Sequence, residues 1–296
     1  MNKVRVLIYS FIIIIALCVW LPPAQSSSDT LRFVIVNPEI GNPQTVLASF
    51  KPLMHWMSNK VKRKIEVIVL PDVEKTVAEL EAGTIDMGYT GIIDYFKIQT
   101  QFQIEPLVTI VQRKKPSYTS CFVIPLKFKD KSLKDFKNTK FGYTSFHKVV
   151  GGLYPQVFLL DNGYSPKLED FFSEVKSYYS DISAIYDILK GAIDACAISL
   201  ATLNTLKITS PGLVRNLHIL HQQEGLMFAP FFNRADMDSA LKEKIITETL
   251  AFSKTIEGRQ LLMMFKVDDL KIVTDKDYEA DRQRAIRLGY ISGEKK

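Results

Sequence analysis

The residue types that carry most enzyme chemistry are few in this sequence and poorly spaced for it. There are four histidines among 296 residues. His218 and His221 lie in an apolar, strand-like run, where side chains at odd spacing point to opposite faces. They are therefore not expected to bind one metal ion together. The sequence contains no Gly-x-Ser-x-Gly elbow, no phosphate-binding glycine loop and no His-Glu-x-x-His pair. We expect a protein that is not an enzyme and that needs neither a cofactor nor a metal ion.

Cysteine usage gives no catalytic motif either. Cys121 and Cys196 each lie in a β-rich apolar run, Cys121-Phe122-Val123-Ile124 and Ala195-Cys196-Ala197-Ile198. That setting is typical of small buried thiols. An oxidising compartment would permit a disulfide between them, but the pattern predicts two free cysteines.

The elements that must position any site alternate between short β-rich runs and longer helical ones. In the first block, strands over 31–36, 65–70 and 85–89 alternate with helices that begin near Pro43 and Val73. A fourth strand is predicted over 105–111. This alternation predicts a layered α/β fold with a mainly parallel sheet.

A second block with the same alternation begins at Ser120. Its predicted strands are 120–125, 140–143, 174–178, 193–198, 217–221 and 226–232. The residues from Asp236 onward are predicted to be helical, over 236–255 and 256–265, with a basic tail after Asp277. The two blocks therefore predict two similar sheet-and-helix lobes.

A short repeated phrase supports that interpretation. Leu80-Glu81-Ala82-Gly83-Thr84-Ile85-Asp86 in the first block corresponds to Leu189-Lys190-Gly191-Ala192-Ile193-Asp194 in the second. In each copy a helix ends at a glycine, which suits a left-handed helix cap, and a strand follows through Ile-Asp. One copy alone would be ordinary loop chemistry, but two copies in matching positions indicate two similar lobes.

The N-terminus indicates export. Lys3 and Arg5 precede an apolar run from Val6 to Leu21, and small residues follow, so residues 1–26 are predicted to be a signal peptide cleaved after Ser26. The apolar run is shorter than the roughly 20 residues of a spanning helix. An uncleaved N-terminal anchor and lipidation of Cys18 remain alternatives. Removing Lys3 and Arg5 changes the net charge from +6 to +4, and the lysines are spread along the chain, which does not favour nucleic-acid binding.

Several short motifs occur along the chain in a recognisable order. They are Phe50-Lys51-Pro52-Leu53, Leu70-Pro71-Asp72, residues 82–91 with Tyr95, Ser132-Leu133-Lys134-Asp135-Phe136, Gly151-Gly152-Leu153-Tyr154-Pro155 and Gly191-Ala192-Ile193-Asp194-Ala195. Taken together, they resemble one family, the phosphate, phosphite and phosphonate type of periplasmic substrate-binding protein of ABC transporters. Their shared order and spacing extend over nearly all of the mature chain.

The resemblance implies the two-lobed type II periplasmic-binding fold. Lobe 1 is then expected to comprise residues 30–116 and 230–296, and lobe 2 residues 117–229. Crossover strands near 118–125 and 225–232 are expected to join the lobes.

The resemblance also implies a ligand site between the lobes, where the family binds phosphonate oxygens at a helix N-terminus carrying a Ser-Thr-Ser run. Aligned on the Gly-Gly-Leu-Tyr-Pro motif, this sequence has Lys148-Val149-Val150 in place of that run. Three other family positions also differ, because Val73 replaces an aromatic residue, Thr90 a tyrosine and Asp181 a histidine. The implied ligand-binding residues are Glu39, Val73, Tyr89, Thr90, Gly91, His147, Lys148, Val149, Val150 and Asp181.

These departures favour a small polar or zwitterionic ligand over a standard phosphonate, since Lys148 supplies a cation and Asp181 an acceptor. Other interpretations stay open. Asp181 is also a suitable N-cap for a helix beginning at Ile182, Lys148 and Glu39 also suit exposed loops, and Tyr89 also suits the core.

The resemblance implies a monomeric, periplasmic solute-binding protein that captures a small molecule or oxyanion and delivers it to an ABC permease by closure of the lobes. The alternative is a ligand sensor that docks on a membrane kinase or cyclase, in one version binding an arsenic oxyanion through a cysteine. We expect no nucleic-acid partner.

Overall fold

The computed structural model describes residues 30–36, 43–144 and 152–293. Its strands form a six-stranded sheet in the order β11-β4-β10-β3-β1-β2 and a five-stranded sheet in the order β7-β6-β8-β5-β9. The strands are β1 (Thr30–Val36), β2 (Lys64–Leu70), β3 (Met87–Tyr89), β4 (Ile104–Val111), β5 (Ser117–Pro125), β6 (Lys140–Thr144), β7 (Glu174–Tyr178), β8 (Ala195–Ser199), β9 (Leu217–Met227), β10 (Pro230–Arg234) and β11 (Asp269–Ile272).

Helices accompany both sheets. They are α1 (Pro43–Val61), α2 (Val73–Glu81), α3 (Ile92–Gln99), α4 (Tyr154–Asp161), α5 (Leu168–Phe171), α6 (Asp181–Lys190), α7 (Leu200–Thr209), α8 (Pro211–Val214), α9 (Ser239–Phe252), α10 (Ile256–Met264) and α11 (Glu279–Arg287). Short 3-10 helices occupy Leu126–Phe128, Leu133–Phe136 and Asp275–Tyr278. We call the six-stranded sheet with its helices the first lobe and the five-stranded sheet with its helices the second lobe.

The two sheets share one topology. β3 is parallel to β1, and β8 is parallel to β6. An antiparallel strand follows in each sheet, β10 beside β3 and β5 beside β8. β5 and β10 also carry the chain between the lobes, since β4 of the first sheet precedes β5 and β9 of the second precedes β10. The predicted fold class, two similar α/β lobes joined by crossover strands, is confirmed.

The repeated phrase has the same structure in both lobes. Gly83 and Gly191 have positive φ angles of +71° and +75°, as the left-handed cap requires. The Asp86 carboxylate accepts a hydrogen bond from the Arg32 backbone N–H at 2.7 Å, at the start of β1. In the second lobe, Asp194 accepts from the Lys140 N–H at 2.9 Å, at the start of β6. The aspartate of the recurring Ile-Asp pair therefore binds the start of β1 in the first lobe and the start of β6 in the second.

Helix packing follows the spacing of apolar residues. In α2, the Asp72 side chain caps the N-terminus by accepting from the Lys75 N–H at 2.8 Å, and Val73, Val77 and Leu80 are buried on one face. Burial of an aliphatic side chain contributes about 1.5–3 kcal/mol. The capped, one-sided helix therefore fixes the segment that follows β2.

The structure corrects three expectations for the chain after residue 226. The residues after Asp236 are not all helical, because β11 pairs antiparallel with β4; four residues are too few to show a strand period. The predicted basic tail after Asp277 forms α11. The predicted strand 226–232 is two strands, separated at Phe228–Ala229.

Among the described residues, no helix is long and apolar enough to cross a membrane. The predicted signal segment, residues 1–26, lies outside the described residues. The division of the chain into lobes at 116/117 and 229/230 stays a prediction.

Candidate ligand cleft

The carboxyl ends of the parallel strands mark one edge of each sheet, the usual place for ligands in open α/β folds. Strand register identifies the residues at these edges. In the first sheet Tyr89, the last residue of β3, pairs with Phe231. In the second sheet Ser199, the last residue of β8, pairs with Ser120, and Thr144 ends β6. The candidate site therefore lies around these side chains.

Tyr118 connects the two edges. Burial raises the pKa of Tyr118 well above its ordinary value, and Tyr89 of the first lobe and Asp181 of the second raise it further. Its ring packs on Phe228, with a centroid separation of 3.9 Å. Tyr118 lies on β5 and Phe228 lies between β9 and β10. The two rings are therefore in contact where the chain passes between the lobes.

Asp181 is buried and accepts three hydrogen bonds. They come from the Thr144 hydroxyl at 2.5 Å, the Thr202 hydroxyl at 2.6 Å and the Ser199 backbone N–H at 3.1 Å. Asp181 is the first residue of α6, and Ser180 is the N-cap, so the interpretation of Asp181 as the N-cap is wrong. Its carboxylate instead ties together the ends of β6 and β8 and the start of α7.

Thr90 presents an unusual buried group. It is 1% exposed, and its hydroxyl oxygen has no hydrogen-bond partner among the described residues. Gly91, which follows it, is the N-cap of α3 and provides no side-chain cap. A buried polar group without a partner costs about 1–3 kcal/mol. The Thr90 hydroxyl at the carboxyl end of β3 therefore needs a partner that the described residues do not supply.

Two other predicted site residues pack against hydrophobic neighbours. Val73 is buried in the first lobe's core. The Tyr89 ring is half-buried and packs on Phe231 at 5.0 Å, and burial raises the pKa of its hydroxyl. The structure thus brings Tyr89, Thr90 and Gly91 together at the end of β3, with Val73 at the start of α2, and places Asp181 at the strand ends of the other sheet.

The remaining predicted site residues, Glu39, His147, Lys148, Val149 and Val150, lie outside the described residues. In the chain they follow β1 and β6 directly.

Sequence reasoning missed Tyr118, Thr144, Ser199 and Thr202. Thr144, Ser199 and Thr202 are hydroxyl residues at or just after strand ends, and that position is a usable signal for the site. Tyr118 is identified only by the position of β5 between the lobes.

The cysteines face away from the cleft. Cys121 and Cys196 are fully buried, free, and packed in a hydrophobic cluster with Ile185 of α6 and Leu203 of α7. Burial raises the pKa of Cys121 to about 12 and that of Cys196 well above the ordinary value. No group of three histidine, cysteine, aspartate or glutamate side chains among the described residues is arranged to hold a metal ion.

Two cavities formed by described residues lie elsewhere. One of about 30 Å³ lies inside the first lobe's core, lined by apolar side chains such as Phe33 and Met54; it is about the size of a water molecule. A groove of about 270 Å³ beside β9 is lined by Lys207, His218 and aliphatic residues. Its residues lie at the opposite end of β5 from Ser120, so neither cavity is the cleft.

Two α/β lobes of shared topology, joined by crossover strands and carrying polar side chains at the carboxyl ends of their parallel strands, define the type II class of solute-binding protein. The family model for the periplasmic substrate-binding protein of ABC phosphonate transporters matches residues 39–278. The chain belongs to this family, whose members are binding proteins for transport rather than enzymes and are located in the periplasm.

Solved structures show the same fold at low sequence identity. A binding protein component of an ABC phosphonate transporter from Pseudomonas aeruginosa has a TM-score of 0.61 at 16% identity, covering 89% of each chain. The methylphosphonate complex of PhnD1 from Prochlorococcus marinus has a TM-score of 0.65 at 18% identity, covering 89% of this chain and 100% of the other. A Xanthomonas citri protein bound to ATP has a TM-score of 0.68 at 16% identity, covering 88% and 98%.

Proposed function

We propose that this protein captures a small polar solute between its lobes in the periplasm and delivers it to an ABC permease. The observation that carries the proposal is the unpartnered, buried hydroxyl of Thr90 at the carboxyl edge of the first sheet. Across the cleft, the Asp181 carboxylate contributes to the electrostatic environment of Tyr118, the residue that joins the two edges. A polar solute bound there would satisfy the Thr90 hydroxyl.

The ligand class follows from charge. Among the described residues, the Asp181 carboxylate accepts from neutral donors only, namely Thr144, Thr202 and the Ser199 N–H, so none of these residues neutralises its negative charge with a bonded cation. Its influence reaches Tyr118, Cys121 and Cys196, whose pKa values it raises. An uncompensated negative charge disfavours a small dianion and favours a ligand that also carries an ammonium group. We infer a zwitterionic or neutral polar solute.

Calorimetric titration of the mature protein tests this inference. The ligands are methylphosphonate, inorganic phosphate, 2-aminoethylphosphonate and a series of α-amino acids. An aminated member is expected to bind at least about tenfold more tightly than methylphosphonate, the equivalent of one charge-assisted hydrogen bond. Tightest binding of methylphosphonate or phosphate would contradict the ligand class. No binding of any small solute, on a panel widened to sugars and vitamins, would contradict the proposed function.

The alternative role as a sensor for a membrane kinase or cyclase would use the same cleft, and no described contact favours it. The version that binds an arsenic oxyanion through a cysteine is disfavoured, because Cys121 and Cys196 are fully buried in the helix-facing core.

A further inference from the structure

The C-terminal segment from Asp275 to Tyr290 contacts both lobes and the linker between them. It consists of the 3-10 helix Asp275–Tyr278, α11 and the residues just after α11. We call it the strap. Its contacts differ in burial from one end to the other, and that difference carries the inference.

At its first end the strap is anchored to α3 of the first lobe. Asp275 Oδ1 accepts from the Gln99 amide at 2.9 Å and from the Tyr95 hydroxyl at 3.3 Å. Arg282 donates to the Gln99 amide oxygen, and its guanidinium group lies 4.7 Å from the centroid of the Phe96 ring. The side chain of Arg282 is only 5% exposed, whereas that of Asp275 is 42% exposed, so the anchor is buried on its Arg282 side.

The middle of the strap holds the linker Met227–Ala229, which connects β9 of the second lobe with β10 of the first. Oδ2 of Asp281, a residue that is 1% exposed, accepts from the Met227 N–H at 2.8 Å. The Tyr278 hydroxyl donates to the Phe228 carbonyl at 3.0 Å. The strap is therefore hydrogen-bonded to two successive residues of the linker, Met227 and Phe228.

At its far end the strap reaches α4 of the second lobe. Arg287 pairs with Asp161 at 2.5 Å, and both side chains are 48% exposed. The Gln156 amide donates to the Tyr290 hydroxyl at 2.7 Å. α4 directly follows the segment 145–151, which includes the predicted site residues His147 to Val150. Ile286, Leu288 and Tyr290 also pack, partly buried, against the apolar cluster that includes Val157 and Phe158 of α4. Exposed ion pairs are weak, so the polar contacts at this end can be released while the buried anchor holds.

We propose that the strap positions α4 and the linker relative to the first lobe. Asp281 is its fixed point, and the Arg287–Asp161 and Tyr290–Gln156 contacts together form a latch that can be released. The latch favours the arrangement of lobes seen here. When it opens, the second lobe is free to turn about the linker. Because one exposed pair has a modest energy, the latch changes the ratio of the two arrangements about two- to fivefold. The role in ligand capture rests on the proposed function, but the latch itself does not.

Spin labels test the latch without any ligand. Lys75 of α2 and Glu169 of α5 are exposed and lie in different lobes. The two cysteines of the predicted mature chain, Cys121 and Cys196, are buried, so the mature variant K75C/E169C takes two labels. Pulsed electron paramagnetic resonance then measures the distribution of distances between the lobes. We expect R287D to shift that distribution to a second distance and D161R/R287D, which restores the ion pair with reversed charges, to return it.

An unchanged distribution in R287D and in Y290F together would overturn the latch, as would a charge-reversed pair that fails to restore it. For the fixed point, D281N keeps an acceptor for the Met227 N–H, whereas D281A removes it. D281A is expected to broaden the distribution and D281N to leave it narrow. If D281A does not fold, a broad distribution in D281N would still contradict the role of Asp281. Since no solute is added, these outcomes do not depend on the ligand.

Discussion

The Thr144 hydroxyl donates a hydrogen bond of 2.5 Å to Oδ1 of Asp181, joining the end of β6 to the first residue of α6. Oδ2 of the same carboxylate accepts from Ser199 and Thr202. Removing it leaves three donors unpaired in a buried setting.

We therefore expect D181A to lower the free energy of unfolding by about 2–4 kcal/mol, measured by urea denaturation. D181N keeps one acceptor oxygen and is expected to lose about half as much. If D181A lowers ligand affinity while leaving unfolding unchanged, Asp181 is a ligand contact and not a clasp.

Removing the Thr90 hydroxyl should raise the stability of the protein but lower its affinity for the solute. T90V replaces an unpartnered hydroxyl with a methyl group of similar size, so the free energy of unfolding is expected to rise by roughly 1 kcal/mol, while solute affinity falls. T90S is the matched control, because it retains the hydroxyl; it should keep the affinity but lose some stability. Thermal and chemical denaturation with titration of the best ligand provide both values. A destabilised T90V would show that the hydroxyl has a partner in the unliganded protein.

His221 should make stability depend on pH. Its ring stacks on Phe158 at 4.2 Å, and Nδ1 lies 2.8 Å from the Tyr154 hydroxyl. Burial lowers the pKa of His221 from 6.5, against the opposing effect of Asp161. A histidine whose pKa is lower in the folded than in the unfolded protein contributes fully to stability when the pH is above the unfolded pKa. That contribution is lost as the pH falls through the folded pKa, because the unfolded chain binds the proton more readily.

The free energy of unfolding should therefore fall more steeply for the wild type than for H221Q between about pH 7 and pH 5. Urea denaturation at several pH values measures both slopes, and the carboxylates shared by the two proteins cancel in the comparison. Equal slopes would contradict the prediction.

The two mature cysteines should be inert in the folded protein. Burial and their raised pKa values keep Cys121 and Cys196 as thiols, and the thiolate is the reactive form. A chromogenic disulfide reagent is expected to modify them only in denaturant, and arsenite should leave the melting temperature unchanged. Rapid modification of the native protein, or an arsenite effect that C121A abolishes, would support the sensor alternative.

Much of the fold could be predicted from local patterns. Alternating apolar runs located most strands, and the paired glycine and Ile-Asp phrases indicated two similar lobes because left-handed caps and strand entries depend on neighbouring residues. β11 escaped prediction because a four-residue strand between helices is defined by its partner β4. The site was predictable only as a region, through hydroxyl and charged residues near strand ends and through the family resemblance.

By itself, the sequence determined the α/β alternation, the duplicated lobes and the family, since these follow from short-range spacing of residue types. Only the tertiary structure decided that Asp181 clasps two strands, that Thr90 has no partner among the described residues and that the strap joins both lobes. These features depend on pairs distant in sequence, such as Met227 with Asp281, 54 residues apart, and Asp161 with Arg287, 126 apart. Such contacts form only when the complete fold brings their elements together, so no local pattern encodes them.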